Sequence, residues 1–387
     1  MSKLKLSSKS KCVMQSEIRN MTLECTKVNG INLAQGVCDT PVPPEVMKGV
    51  EEGMREGFNI YTRYDGLPEL RNALADKLRK QGLDANPDGE IIVSNGATGA
   101  FYCALMALLE PGDEVILFEP YCGYHLQTLR ALDMGASFVT LKAPDWKFFP
   151  EDLGRAITPK TRGILVNTPA NPSGKVFTRE ELDTIKAFAE KHDLFVFTDE
   201  IYEYFIYDGR KHISPATLPA MKQRTIAISG MSKTFSVTGW RIGYAIADAK
   251  WAQTIGYFND LVYVCAPAPL QIGVARGLKA LSPEYYQELC QEYAGKRDQI
   301  CEALERGGMK PCVPQGAYYV LADISKLPGK NSKERALHLL HKTGVASVPG
   351  SAFYHRPEDG DGLTRFCFAK QKGDLDEACK RLAAFRA

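Results

Sequence analysis

Short runs of apolar and β-branched residues alternate, between residues 91 and 247, with longer segments whose apolar residues recur at helical spacing. The longer segments predict helices over residues 99–109 and 179–192. Strands alternating with helices are typical of an α/β domain, in which a mostly parallel sheet lies between layers of helices. We therefore expect a large domain with a seven-stranded sheet, whose strands are residues 91–94, 114–118, 137–141, 163–167, 194–198, 225–229 and 241–247.

The chain outside this region follows other patterns. Residues 31–39 form a short extended run before a proline-rich segment, and residues 68–80 have helical spacing with Pro68 in the first turn. The later part predicts further helices and strands at residues 283–306, 317–322, 363–369 and 374–385. We expect an N-terminal arm that is also part of a small domain, then the large domain, then a small α+β C-terminal domain, over residues 1–44, 45–285 and 286–387.

Composition and charge limit the classes of function. Of the 387 residues, 44% are hydrophobic and 24% charged, as in ordinary soluble globular proteins. A formal net charge of +2 gives no reason to expect nucleic acid or a membrane surface as a partner. The eleven cysteines form no Cys-x-x-Cys pair, which favours a reducing cytoplasm over disulfides or a zinc site. His338 and His341 are three residues apart without a further ligand nearby in sequence, so no metal is expected.

Chemically capable residues follow four of the predicted strands. Ligands of open α/β sheets bind at the carboxyl ends of the strands, so these residues are expected to lie close together. Gly96-Ala-Thr-Gly99 opens a helix, where free N–H groups and the helix dipole attract anions. The residues after the other three strands are Asn171 in a turn fixed by prolines, Asp199 with Tyr202, and Lys233 with Arg241.

Each of these residues also has an ordinary structural interpretation. The glycine turn could only cap a helix, and Asn171 could form an Asx-turn. Asp199 could cap the segment that it begins, and Lys233 with Arg241 could be a structural pair at a strand end. For the site to be an accident, all of these structural interpretations would have to be correct at once. An anion site, an amide, a carboxylate and a lysine are less easily explained at strand ends by chance than by one functional site.

These groups together match the needs of pyridoxal 5′-phosphate. A partly desolvated lysine has a free amine that can bind the cofactor's aldehyde, and Lys233 is the candidate. Asp199 would keep the pyridine nitrogen protonated, and Tyr202 and Asn171 would reach the ring hydroxyl. The large domain would then be the cofactor-binding domain. The phosphate would be bound by Arg241, by Ser229 or Ser232, and by the backbone of Ala97 and Thr98.

The sequence resembles the class I/II family of pyridoxal-phosphate-dependent aminotransferases of fold type I. The motifs that match are Gly230-Met-Ser-Lys-Thr-Phe-Ser-Val-Thr-Gly-Trp-Arg-Ile-Gly243, Asn171-Pro-Ser-Gly174 and Asp199-x-x-Tyr202. The resemblance implies that the substrate carboxylate is bound by Arg365, with Asn171 and a backbone N–H of Gly36 beside it. It also implies a homodimer with shared active sites, because Tyr61 matches a tyrosine that reaches the phosphate across the dimer interface.

One departure from the family pattern concerns the ring that normally stacks on the cofactor. The matching turn here is Glu119-Pro-Tyr-Cys-Gly-Tyr-His125, which looks one residue shorter than in many members. Tyr121 or Tyr124 could supply the ring, or Cys122 could occupy its place. We favour Tyr121.

The resemblance implies transamination. Lys233 would move a proton as general base and acid while the amino group of an amino acid passes to a 2-oxo acid such as 2-oxoglutarate. A C–S β-lyase and a decarboxylating relative use the same scaffold and stay open as alternatives. A transcription regulator with an aminotransferase-like domain would need a DNA-binding module, for which the residues before Ile31 are too few and too polar.

Substrate preference depends on residues away from the cofactor. Aspartate-specific relatives take an arginine from the segment that resembles residues 260–269, and this segment has none here. Tyr318 and the pair Phe353-Tyr354 favour a neutral or aromatic amino acid. An aspartate-type activity stays an alternative, since Arg19 or Arg63 could serve a dicarboxylate.

Overall fold

The computed structural model describes residues 4–11 and 15–386. The strands of the described chain are β1 (Ile31–Asn32), β2 (Ile91–Asn95), β3 (Glu114–Glu119), β4 (Gly135–Thr140), β5 (Thr161–Asn167), β6 (Phe195–Asp199), β7 (Thr225–Gly230), β8 (Ile242–Ile246), β9 (Pro311–Cys312), β10 (Tyr319–Asp323), β11 (Val345–Ala346), β12 (Val348–Pro349) and β13 (Leu363–Cys367). The α-helices are α1 (Glu17–Lys27), α2 (Pro44–Arg55), α3 (Pro68–Lys80), α4 (Gly96–Leu108), α5 (Gly123–Ala131), α6 (Pro150–Ala156), α7 (Arg179–Lys191), α8 (Ala249–Tyr263), α9 (Ala268–Ala280), α10 (Pro283–Arg306), α11 (Ser332–Thr343) and α12 (Lys372–Ala384).

The seven predicted strands form one sheet in the order β2-β8-β7-β6-β5-β3-β4. Each strand lies within about two residues of its predicted bounds, as expected for apolar runs that end at turns. Only β8 runs antiparallel to its neighbours, β2 and β7. Arg241, which directly precedes β8, is therefore at the same edge as the residues that follow the other strands. The expectation of a mostly parallel α/β sheet is confirmed.

Helices cover both faces of this sheet, which explains why its central strands are apolar without alternation. Ile226 and Ile228 of β7 face a cluster that includes residues of α4, α5 and α8. Ala227, between them, faces a second cluster with residues of α3 and α9. Every residue of β7 and of β8 is buried.

A smaller α+β unit contains residues from near both ends of the chain, as predicted. Its antiparallel sheet has the order β12-β13-β10-β9, and β1 pairs in parallel with β11. Helices α10 and α12 pack against β10 and β13 in one apolar cluster. Arg365 lies in the middle of β13, where it pairs with Leu321 on one side and Val348 on the other.

The helix predicted over residues 99–109 begins earlier, at Gly96, because α4 follows β2 without a loop. Its first N–H groups therefore lie directly at the end of the strand. In residues 4–11 and 15–386, no helix is both long and apolar enough to cross a membrane.

Candidate active site

Asp199 lies at the carboxyl end of β6, and its side chain is held from two directions. Its Oδ2 atom is 2.9 Å from Nε2 of His125, in the first turn of α5. Its Oδ1 atom accepts a hydrogen bond from the backbone N–H of Ile201 at 3.3 Å. In the His125 tautomer that has its N–H at Nε2, this atom donates and the carboxylate oxygen accepts. The carboxylate is thus fixed in position while remaining partly accessible.

Lys233 follows β7, and its amine contacts a backbone carbonyl and an aromatic ring. Nζ donates to the backbone carbonyl of Gly36 at 3.1 Å and lies 5.7 Å from the centre of the Tyr318 ring. Burial lowers the pKa of the Lys233 amine below its ordinary value, since a charged ammonium is poorly solvated here. A lowered pKa increases the fraction of free amine near neutral pH, which is what a nucleophile or a general base needs.

Arg365 is almost completely buried and is held among aromatic rings. Nη1 donates to Oδ1 of Asn171 at 2.7 Å, and Nη2 donates to the carbonyl of Ala34 at 2.6 Å. The guanidinium carbon lies 4.3 Å from the ring centre of Tyr319 and 5.1 Å from that of Phe353. Nε is buried and has no hydrogen-bond partner among the described residues. A buried cation with an unused donor is suited to a carboxylate ligand.

Asn171 joins Arg365 to the loop after β3. Its backbone N–H donates to Oδ1 of Asn167 at 2.8 Å, and this bond fixes the turn. Its Nδ2 atom lies 3.6 Å from Sγ of Cys122. Burial raises the pKa of the Cys122 thiol to about 11, so the group is neutral at physiological pH.

The other two candidates for the stacking position have different surroundings. The Tyr121 ring is buried against Phe138, with ring centres 5.7 Å apart, and burial raises its pKa to about 12. Tyr124 is exposed on α5. Of the three residues, Cys122 is the one that contacts Asn171.

Tyr202 lies one turn after Asp199 and is fully enclosed. Its hydroxyl oxygen is 3.0 Å from that of Tyr319 in β10, so it links the end of β6 to the four-stranded sheet. Burial, together with the neighbouring Tyr319, raises the pKa of Tyr202 well above its ordinary value. The phenol therefore stays protonated and can donate a hydrogen bond.

The candidate anion site is where β2, α4 and β8 meet. Gly96 has a φ of +76°, and a side chain on Gly243 would overlap the backbone of Gly96 and Ala97. These glycines bring β8 directly against the start of α4. The N–H groups of the first turn, around Ala97 and Thr98, have no partner within the helix.

Arg241 supplies a cation to the same place. Its Nη1 and Nη2 atoms donate to the carbonyls of Thr238 at 3.0 Å and Asn95 at 3.5 Å. Its φ of +58° is in the left-handed region that side-chain-bearing residues seldom adopt. Arg241 has no ion pair with a carboxylate of the described residues, so its charge is available to an anion.

The two candidate serines have different surroundings. The Ser229 hydroxyl donates to Oε1 of Glu203 at 2.9 Å. Glu203 belongs to a buried network in which it also pairs with Lys77 at 2.7 Å. Ser232 is buried one residue before Lys233 and takes no part in that network.

Gly36 and Tyr61 have opposite environments. A Cβ on Gly36 would overlap the Tyr319 hydroxyl, so only glycine fits, and the carbonyl of Gly36 accepts from both Lys233 and Tyr318. Tyr61 is 80% exposed, and it is not brought to the site within this chain. Tyr61 is therefore the candidate that the fold of one chain leaves apart.

Two residues of the site were missed by sequence reasoning. His125 follows β3 at the sheet edge, and the strand-end argument could have identified it. The sequence does not identify Tyr319, because its neighbour Tyr318 is also a tyrosine. Only the path of the backbone decides which of the two side chains contacts Arg365.

The donor set fits pyridoxal phosphate. Glycines leave the start of α4 open to a phosphate, Arg241 adds a cation, and a carboxylate and a lysine of lowered pKa complete the set. Residues 28–382 match the family model described as aminotransferase class I and II. The chain belongs to this family. Since its members depend on pyridoxal phosphate, the protein is a pyridoxal-phosphate-dependent transaminase.

Similar proteins extend over nearly all of this aminotransferase. Kynurenine–oxoglutarate transaminase 1 of Mus musculus is 34% identical over 393 residues, covering 92% of each chain. The aspartate aminotransferase of Pyrococcus abyssi is 34% identical over 374 residues, covering 96% of this chain and 95% of that one. The solved structure of N-succinyldiaminopimelate aminotransferase from Mycobacterium tuberculosis has a TM-score of 0.94 at 31% identity, covering 98% and 99%. The aminotransferase therefore transfers amino groups between an amino acid and a 2-oxo acid.

Proposed function

We propose that this aminotransferase takes its amino group from a neutral or aromatic L-amino acid and passes it to a 2-oxo acid such as 2-oxoglutarate. The observation that carries the substrate class is the environment of Arg365, which lies between the rings of Tyr319 and Phe353. Apolar and aromatic surfaces of this kind bind apolar side chains.

The two arginines that could bind the side-chain carboxylate of an acidic substrate also favour a neutral or aromatic substrate. The fork of Arg63 is already paired with the carboxylate of Asp65, through both Nε and Nη2. Arg19 lies exposed on α1. The aspartate-type alternative rests on one group of relatives, such as the enzyme of Pyrococcus abyssi, while the relative from Mus musculus is named for kynurenine, an aromatic amino acid.

The catalytic roles follow from protonation states. Pyridoxal phosphate, when bound, supplies an aldehyde for amines and a ring that withdraws electrons from the substrate. Lys233, whose lowered pKa gives a free amine, would take the proton from the substrate α-carbon as general base and deliver it to the cofactor carbon as general acid. Asp199, oriented by His125, would hold a proton at the ring nitrogen. Tyr202 and Asn171 would donate to the ring hydroxyl, for which a protonated phenol is needed.

The phosphate site combines three kinds of donor. Arg241 supplies the charge, and the N–H groups at Ala97 and Thr98 supply directed hydrogen bonds. Between the two serines we favour Ser232, because the Ser229 hydroxyl is engaged by Glu203.

Cys122 takes the position in which the family normally has an aromatic ring. Its contact with Nδ2 of Asn171 supports this, as does the packing of Tyr121 against Phe138. The substrate carboxylate is bound by Arg365, with Asn171 and Gly36 beside it.

A second copy of the chain completes the site. Ile60 and Tyr61, which are adjacent in the chain, are each 80% exposed, and Leu261 of α8 is 77% exposed; exposed large apolar residues of this kind favour an interface. Covering these residues in a homodimer buries apolar surface and brings Tyr61 to the phosphate of the other copy. Neither Tyr61→Ala nor Lys233→Ala should be active alone. Co-expression of the two variants should restore activity, because in a mixed dimer one site has Lys233 from one chain and Tyr61 from the other.

The domain division and the location also remain proposals. The strands of the seven-stranded sheet all lie within residues 91–246, which supports a cofactor-binding domain over residues 45–285. Residues 286–387 form the small domain together with the arm at 1–44. The ten cysteines of the described chain are all free thiols, which supports a reducing cytoplasm.

A half-reaction screen tests the substrate class. The holoenzyme is mixed with each amino acid in turn, without a 2-oxo acid, and the loss of the cofactor's aldehyde absorbance is followed. We expect fast conversion with neutral or aromatic amino acids and slow conversion with aspartate. Fast conversion with aspartate alone would contradict the proposal, and steady release of pyruvate and ammonia would indicate a lyase.

A further inference from the structure

Glu119, the last residue of β3, is a fully buried carboxylate outside the group of residues described above. Thr140 donates its hydroxyl to Oε1 at 2.9 Å. His355 donates its backbone N–H to Oε2 at 3.0 Å, and its Nδ1 atom lies 3.0 Å from both oxygens. The Thr140 hydroxyl and the His355 N–H are both donors, so the two carboxylate oxygens act as acceptors, and Nδ1 of His355 adds a third donor in the tautomer that carries its proton there.

The two residues join the seven-stranded sheet to the smaller unit that contains the four-stranded sheet. Glu119 ends a strand of the seven-stranded sheet, whereas His355 lies in the segment that connects β12 to β13. A further bond, from the N–H of Tyr121 to the carbonyl of Phe353 at 2.9 Å, runs alongside. The Phe353 ring lies against the guanidinium of Arg365, at 5.1 Å. Residues 353–355 therefore connect the end of β3 to the arginine.

We propose that the Glu119–His355 pair is a positioning device that holds Arg365 at the correct distance from the cofactor site to bind the substrate carboxylate. The proposal rests on the role assigned to Arg365 above. Arg365 belongs to the smaller unit, whereas Asp199 and Lys233 belong to the larger one. A substrate that reaches both requires their separation to be fixed, and small displacements of a binding group lower its effectiveness steeply.

The chemistry of the pair explains why this contact is specific. A buried carboxylate that loses a donor is left unsatisfied, so the pairing strongly favours one arrangement of the two segments. His355 also stacks on Phe138, with ring centres 4.4 Å apart and planes 6° from parallel. The stack and the hydrogen bond can be removed separately by substitution.

The test compares His355→Phe, which keeps a ring on Phe138 but has no donor, with His355→Asn, which keeps a donor near the position of Nδ1 but has no ring. We expect His355→Phe to raise KM for the amino acid about three- to tenfold, with kcat changed less than about twofold. His355→Asn should stay closer to the parent. Cofactor absorbance and cofactor affinity should be unchanged in both.

Three outcomes would overturn the proposal. The first is a KM of His355→Phe equal to that of the parent. The second is a KM of His355→Asn that rises as much as that of His355→Phe. The third is a loss of active protein in His355→Phe without any change in KM. If His355→Phe does not fold, Thr140→Val removes another donor from Glu119 and should raise KM in the same direction. An unchanged KM in that variant would also overturn the proposal.

Arg365→Met separates this inference from the proposed function. If Arg365→Met leaves KM unchanged, the role of Arg365 in binding substrate is wrong. If Arg365→Met raises KM and His355→Phe does not, only the positioning role fails.

Discussion

Nε2 of His125 lies 2.9 Å from Oδ2 of Asp199, although the two residues are 74 positions apart in the chain. The bond joins the first turn of α5, which follows β3, to the end of β6 at the same edge of the sheet, with β5 lying between the two strands. His125 is itself held against Phe101, with ring centres 5.5 Å apart. Asp199 is thus given one orientation before any ligand binds, which is the arrangement expected of a preorganised site.

Replacing His125 with Phe should lower kcat about tenfold or more, because a hydrogen bond to a charged group is lost while the ring packing is kept. The cofactor absorbance should change as well, since Asp199 would no longer be oriented toward the ring nitrogen. His338→Phe, at a histidine near Phe385, serves as the control and should behave as the parent. Equal activity of the parent and His125→Phe would contradict this role.

Arg365→Met should raise KM for the amino acid by about a hundredfold, since two charge-assisted hydrogen bonds to the carboxylate are removed. Cofactor affinity should be nearly unchanged. Arg179→Met removes a solvent-exposed arginine that pairs with Asp183, and it should leave KM as in the parent. Steady-state kinetics of the two variants provide the measurement. A similar KM in both would show that Arg365 does not bind substrate.

Alanine substitutions of Ser229 and Ser232 should have different effects on cofactor affinity and on stability. Ser232→Ala should weaken cofactor binding about tenfold, because a phosphate hydrogen bond is lost. Ser229→Ala should lower the melting temperature with little effect on cofactor affinity, because it leaves Glu203 short of a donor in a buried network. Equilibrium titration with the cofactor and thermal unfolding distinguish the two. If Ser229→Ala is instead the variant that loses cofactor affinity, Ser229 is the serine that binds the phosphate.

The cofactor-free protein should become more stable when Lys233 is replaced by Met. Burial lowers the pKa of Lys233 from its ordinary value of 10.5, so the unfolded chain holds this proton more tightly than the folded one. Folding therefore carries a penalty that is fully present below the lowered pKa and disappears as pH rises through 10.5. Melting temperatures measured between about pH 6 and pH 10 should show an advantage for Lys233→Met that shrinks as pH rises. A constant difference would show that the amine titrates normally.

The sheet was predictable from sequence because its signal is local. Strands buried on both faces, such as β7 and β8, need unbroken apolar runs, and each run ends at a turn that carries a polar residue. The same rule placed Asn171, Asp199 and Lys233 at one edge. It worked because parallel strands put their carboxyl ends on the same side.

The remaining part of the site depends on contacts that leave no local pattern. The Glu119–His355 bond spans 236 positions, and the turn that begins at Glu119 gives no sign of a partner so far along the chain. The sequence also did not predict the orientation of the loop after β3. Tyr121 and Cys122 are adjacent, and only packing against Phe138 decides which of them faces Asn171.

The most direct test of the account is the activity of Lys233→Ala. We expect no measurable transamination by this variant, while absorbance shows that the cofactor is still held by Asp199 and Arg241. Lys222→Ala, which removes a partly exposed lysine paired with Glu90, should retain the activity of the parent. Full turnover by Lys233→Ala would contradict the assignment of this amine as the group that moves the proton.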